Sequence, residues 1–157
     1  MIRNFQFFSF LLLISIVLFS FSDDKKCVKI KGKLYFKEEN LDSLHVVLFD
    51  HDKVIEEFFT KKKKSFELQL ERNSHYSLVI SKRTFNNTLI IIDTQIPEKK
   101  ECGYSFFFEC DMIHGSDTTL NKDFFDHPAA IIMYKKSTDE FQISKKYNEE
   151  IKKNLGK

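Results

Sequence analysis

The sequence contains no tryptophan, only four glycines and two prolines, and a net charge of just +2. Each shortage closes off a class of function. Without Trp, and with five Tyr, the chain is short of the amphipathic rings that stack on sugars. Four glycines leave none for a phosphate-cradling loop, and no G-x-S-x-G nucleophile turn occurs. The 25 Lys and Arg are nearly matched by 23 Asp and Glu, and one of the basic residues, Arg3, lies in the first segment. Nucleic-acid binders carry a strong basic excess, so no nucleic-acid partner is expected. Beyond residue 22 there is no long apolar run, no internal repeat and no low-complexity linker.

What is present begins with MIRNFQFFSFLLLISIVLFSFS, residues 1–22. Arg3 precedes an apolar run from Phe5 to Phe21, and the small residues Ser20 and Ser22 close it. That is the three-part layout of a secretory signal helix, with cleavage expected after Ser22. The run is also nearly long enough to stay as an anchor, which would be the chain's membrane contact. Cys27 lies five residues past Ser22, too far for the lipidation that follows directly on an apolar run. An exported chain is expected, in the periplasm or at the cell surface.

Residues 23–144 read as one domain of short strands with polar turns. Leu44, Val46 and Leu48 share one face, as do Phe66, Leu68 and Leu70, and then Tyr76, Leu78 and Ile80. A period of two marks half-buried strands. TLIIID (88–93) is apolar on both faces, as a strand in the middle of a sandwich is. Further strands are expected over 28–36, 54–59, 104–113, 129–135 and 141–147, with a long excursion over 114–128. Regular spacing of this kind predicts an all-β antiparallel sandwich. Tyr147, Ile151 and Leu155, spaced i, i+4, i+8, predict a short amphipathic C-terminal helix over 145–157.

Candidate chemistry is sparse. His45, His51, His75, His114 and His127 show no metal-ligand spacing. Asp111, His114, Asp117, Asp123, Asp126 and His127 crowd one stretch, but without the Asp-x-Asp-x-Asp-Gly ladder of a calcium loop. A surface loop is expected there; a small hydrolase would need Asp111, His114 and His127 to converge in a cleft. Phe106, Phe107, Phe108, Phe124 and Phe125 are read as core and cover residues rather than a sugar platform. Asn86-Asn87-Thr88 matches a glycosylation acceptor, meaningful only in a eukaryotic host. Cys102 and Cys110 would stand about 26 Å apart along a straight strand, too far to bond. Cys27 can reach Cys102 only if the first strand meets the sheet's end, and three unpaired thiols packed as small hydrophobes are expected.

The stretch 28–97 resembles the carboxypeptidase regulatory-like domain, a transthyretin-like (prealbumin-like) β-sandwich of secreted Bacteroidetes proteins. The likeness rests on Ile30-Lys31-Gly32 for the V-x-G signature, Phe66-Glu67-Leu68 for F-x-L, and Tyr76 to Ile80 for Y-x-L-x-I. Where the family has a glycine before F-x-L, this chain has Lys63-Lys64-Ser65, so a differently shaped turn is expected. The resemblance implies an Ig-like or transthyretin-like accessory module with no catalytic residue and no resident cofactor or metal. The expected function is that of an exported, non-enzymatic module of the bacterial cell envelope. It would bind an envelope or surface protein through a strand edge or the C-terminal helix. A carbohydrate- or small-ligand-binding module is the alternative.

Overall fold

Val28, Ile30, Gly32 and Leu34 alternate with Lys29, Lys31 and Lys33 along the first strand. The computed structural model buries the first set and leaves the lysines at the surface. It describes residues 26–36, 43–60, 64–117 and 125–155. The signal segment expected over 1–22 lies outside them.

Nine strands follow in order: β1 (Lys26–Tyr35), β2 (Leu44–Asp50), β3 (Lys53–Thr60), β4 (Ser65–Glu71), β5 (His75–Ser81), β6 (Thr88–Asp93), β7 (Tyr104–Asp111), β8 (Ala130–Lys135) and β9 (Glu140–Ile143). One helix, α1 (Lys145–Leu155), ends the described chain. The strands form a three-stranded sheet, β4-β1-β7, and a six-stranded sheet, β3-β2-β5-β6-β8-β9. Their inner faces share one hydrophobic cluster that includes Ile30, Leu68, Val46, Leu78, Ile90 and Ile132. The chain is mostly β, in two layers, as the period of two predicted. Among the described residues, no helix is long and apolar enough to cross a membrane.

The sheets are not wholly antiparallel. β1 runs parallel to β7, and β6 runs parallel to β8. The cause is the path of the chain. After β6 it leaves the large sheet to add β7 to the small one, then returns for β8 in the original direction. Antiparallel hairpins leave a period-two signature and a tight turn, whereas a crossover leaves neither.

β1 is the middle strand of the small sheet, and Gly32 stands opposite Phe66 on β4 and Phe108 on β7. A Cβ at Gly32 would lie 2.4 Å from Phe66 Cζ and 2.7 Å from Phe108 Cζ. The two rings meet edge to face over that gap, with centroids 6.0 Å apart. Phe58 of β3 then reaches Phe66 from the opposite sheet, at 6.3 Å. At the other end of the sandwich, Tyr104 of β7 meets Tyr134 of β8 and Phe141 of β9 at 5.5 Å and 5.8 Å. Aromatic pairs of this geometry add about 0.5–1.5 kcal/mol each beyond area burial.

Cys27 and Cys102 form a disulfide, with Cα atoms 4.6 Å apart, and Cys110 is free. The expectation of three unpaired thiols is corrected here. Parallel pairing sets Val28 opposite Tyr104, so the residue before β7's entry turn falls beside Cys27. The bond closes a separation of 75 residues and ties the start of β1 to the start of β7.

Asp139, in the β8–β9 turn with a left-handed φ of 56°, forms a second tie. Its carboxylate accepts from the Tyr134 hydroxyl and the Lys100 ammonium, and from the Tyr104 hydroxyl at 2.9 Å. The Lys100 ammonium, then the two hydroxyls, hold the Asp139 carboxyl down at about 2. The same carboxylate pushes the Tyr134 phenol up. The strand expected over 141–147 stops at Ile143, because Ser144 caps α1 by accepting from Tyr147 N at 3.3 Å. On α1, Tyr147 and Ile151 are half-buried, and Tyr147 donates to Pro128 O at 2.6 Å.

Three outcomes test this architecture. Thiol titration of the unfolded, unreduced chain should find one reactive thiol and, after reduction, three. Reduction should also lower unfolding free energy by about 2–4 kcal/mol; unchanged melting would show that the bond does not form. Gly32→Ala should cost about 1–3 kcal/mol by urea unfolding, because two packed rings must move. Asp139's folded value lies below its ordinary 3.8. Its contribution is therefore whole above that value and is lost as pH falls toward 2. Asp139→Asn should lower the midpoint of melting at pH 6, and its deficit relative to wild type should shrink between pH 4 and pH 2.

Candidate functional site

β3 sits at the edge of the large sheet and pairs only with β2 among the described strands. Its burial differs from that of every other strand. Val54 and Ile55 are each 46% exposed and Phe59 is 59% exposed, while Thr60 alone is buried. The cause lies in the register. Leu48 pairs with Glu56 but Phe49 pairs with Val54, so Ile55 is the extra residue of a bulge. The bulge takes Val54 and Ile55 out of the alternation and leaves them toward water, whereas Phe59, in regular register opposite His45, lies on the outer face. Sequence reading placed the strand correctly but had no signal for the side on which its apolar residues fall.

Beside this edge, on the outer face, a row runs across three strands. His45 of β2 lies opposite Phe59 of β3 on one side and Ser81 of β5 on the other. The imidazole stacks on Phe59, with centroids 4.6 Å apart and planes 14° from parallel. Nε2–H donates to Glu57 Oε1 at 2.8 Å, which leaves Nδ1 to accept from the Ser81 hydroxyl at 3.4 Å. The row borders an open cleft of 580 Å³, lined by Ser43, His45, Phe59, Ser81, Lys82 and Arg83. Lys82 is 6% exposed and its ammonium lies 5.2 Å from the centroids of Phe36 and Phe85. Arg83 is exposed.

The Asp and His residues picked out from sequence divide between places. Asp111, His114 and Asp117 line a second cleft, of 570 Å³, with Tyr35, Phe36, Phe85, Met112 and Ile113. His114 Nδ1 is within 2.6 Å of the Ser116 hydroxyl, and its ring sits edge-on to Phe85 at 5.2 Å. His127 does not line that cleft; it borders a small 30 Å³ hollow with Asp111 and Phe125. Asp126 is exposed, and Asp123 lies outside the described residues. Asp111, His114 and His127 therefore do not converge in one cleft. Among the described residues, no three His, Cys, Asp or Glu side chains are grouped to hold a metal ion. His51 pairs with Asp50 at 2.8 Å, and His75 lies 3.7 Å from Asp93.

The aromatic run resolves as core and cover. Phe108 is buried, Phe106 half-buried and Phe107 exposed at 54%, opposite Lys31. Phe125 is half-buried, and Phe124 lies outside the described residues. The exposed rings of the small sheet are Phe107 and Tyr35, and the Tyr35 hydroxyl is bonded to Glu109 at 2.6 Å. The remainder of that outer face is an ionic lattice. Glu67 meets Lys29 at 3.1 Å and Lys31 at 3.6 Å, and Lys33 meets Glu109 at 3.5 Å. The bond from Lys29 pulls the Glu67 carboxyl below its usual range. In the acceptor sequence Asn86-Asn87-Thr88, Asn86 is half-buried and Thr88 is buried. The Cys110 thiol is pushed up by burial.

No family model matches the chain, and no curated protein matches it. Six chains of solved structures do. One, from "Crystal Structure of S.CueP", is 14% identical with a TM-score of 0.38, over 59% of this chain. The match spans 64% of that chain's length.

Proposed function

We propose that this chain is an exported, non-enzymatic β-sandwich module of the bacterial cell envelope that binds an envelope or surface protein by strand addition along the free edge of β3. The observation that carries the proposal is the conjunction of an edge that no described strand pairs with and Val54, Ile55 and Phe59 exposed upon it. An open edge offers backbone donors and acceptors for a partner strand, and exposed apolar side chains beside it give that strand something to bury. Export is supported by the leader-like residues 1–22 and by the Cys27–Cys102 disulfide, which persists in oxidising compartments. The transthyretin-like type of sandwich belongs to the same proposal. Its V-x-G glycine, Gly32, occupies a position where the aromatic packing of the small sheet leaves no room for a Cβ.

A photocrosslinking residue placed at Val54, Ile55 or Phe59 in the producing cells tests this. The same residue at Gln69, on the outer face of the small sheet, is the control. Crosslinks from the β3 positions to an envelope protein, absent from Gln69, are expected. Equal yields from both faces, or capture of cytoplasmic proteins alone, would overturn the proposal.

A further inference from the structure

The cleft of 580 Å³ at the end of β3 is built differently from the edge it adjoins. Among the described residues, none of those that line it carries a carboxylate. Glu57, the acid of the neighbouring row, is engaged by His45. Of the described residues that line it, the charged ones are Arg83, exposed, and Lys82, whose ammonium lies over Phe36 and Phe85. Ser43, an exposed residue, also lines it. Phe59 belongs to both features: it is an exposed residue of the β3 edge and a wall of the cleft. A chain lying along β3, about 4.8 Å from it, would carry its outer side chains past Phe59.

We infer that the cleft receives an acidic side chain from the partner's added strand, with Arg83 as its ion-pair partner and Ser43 as a hydrogen-bond donor. The inference rests on the strand-addition reading and names the partner's chemistry: an extended segment in which an Asp or Glu follows the apolar residue set against Phe59. Backbone pairing along an edge gives affinity with little selectivity, and a side-chain pocket beside the edge supplies the choice of partner. Guanidinium and carboxylate make the two-pronged contact that fixes register. The stacking of His45 on Phe59 holds the cleft wall in place without a ligand.

The test selects decapeptides from a random display library on the full chain, then measures their binding to variants. Enriched peptides are expected to carry Asp or Glu far above library frequency. Arg83→Glu should weaken them at least tenfold, Arg83→Lys should weaken them less because it keeps the charge but loses the fork, and selection on the Arg83→Glu chain should shift toward Lys and Arg. Thermal melting checks that each variant is folded. Hydrogen exchange with a selected peptide bound separates the two levels of the argument. Protected β3 amides with no acidic preference, or with binding indifferent to Arg83→Glu, would overturn the inference and leave strand addition standing. Peptides that leave β3 amides unprotected would overturn both. Binding of succinate alone with the same Arg83 dependence would make the occupant a free acid and likewise overturn the inference.

Discussion

The absence of a side chain at Gly32 is the constraint around which the sandwich closes. Phenylalanines flank that glycine on both neighbouring strands, and their rings lean into the space a methyl would fill. Phe66 in turn receives Phe58 from the opposite sheet. A single small residue on the central strand thus lets large rings from both layers interlock while Ile30 and Leu34 fill the core on either side. Phe-rich composition alone does not produce this. It needs the glycine in register with two of the rings.

The other end of the sandwich depends on ties between segments distant in sequence. The disulfide joins β1 to the entry of β7, and Asp139 gathers Lys100, Tyr104 and Tyr134 from the β6–β7 connection, β7 and β8. The disulfide stands where parallel pairing sets β1 beside β7, and the Asp139 tie joins β7 of the small sheet to β8 of the large one. Parallel neighbours cannot be joined by a tight turn, so their long connections need anchoring by other means.

The alternation in β4 and β5 was fully legible, since Phe66, Leu68, Leu70, Tyr76, Leu78 and Ile80 are all buried as their period of two requires. Phe107 and Phe108 were legible on the same ground. The parallel pairs were not, because pairing across a crossover leaves no local pattern, and the disulfide was missed with them. The β3 bulge was hidden too: one skipped residue changes which side chains face water without changing the composition of the strand. The row of Ser81, His45 and Phe59 comes from three separate strands, so no linear spacing could announce it. The Asp and His cluster shows the opposite failure. Its members are close in sequence, yet Asp111, His114 and His127 divide between two hollows.

The two outer margins of the sandwich differ in what they expose. The outer face of the small sheet neutralises its own lysines with Glu67 and Glu109 and presents the rings of Tyr35 and Phe107. Among the described residues, β3 presents three apolar side chains, a backbone edge with no partner strand and, at its end, a cleft lined by no acid. The most direct measurement is residue-resolved amide hydrogen exchange on the isolated chain. The account predicts slow exchange throughout β1, β5 and β6, with alternating fast and slow amides along β3, because every second one points away from β2. Uniform protection along β3, or rapid exchange in β1, would contradict it.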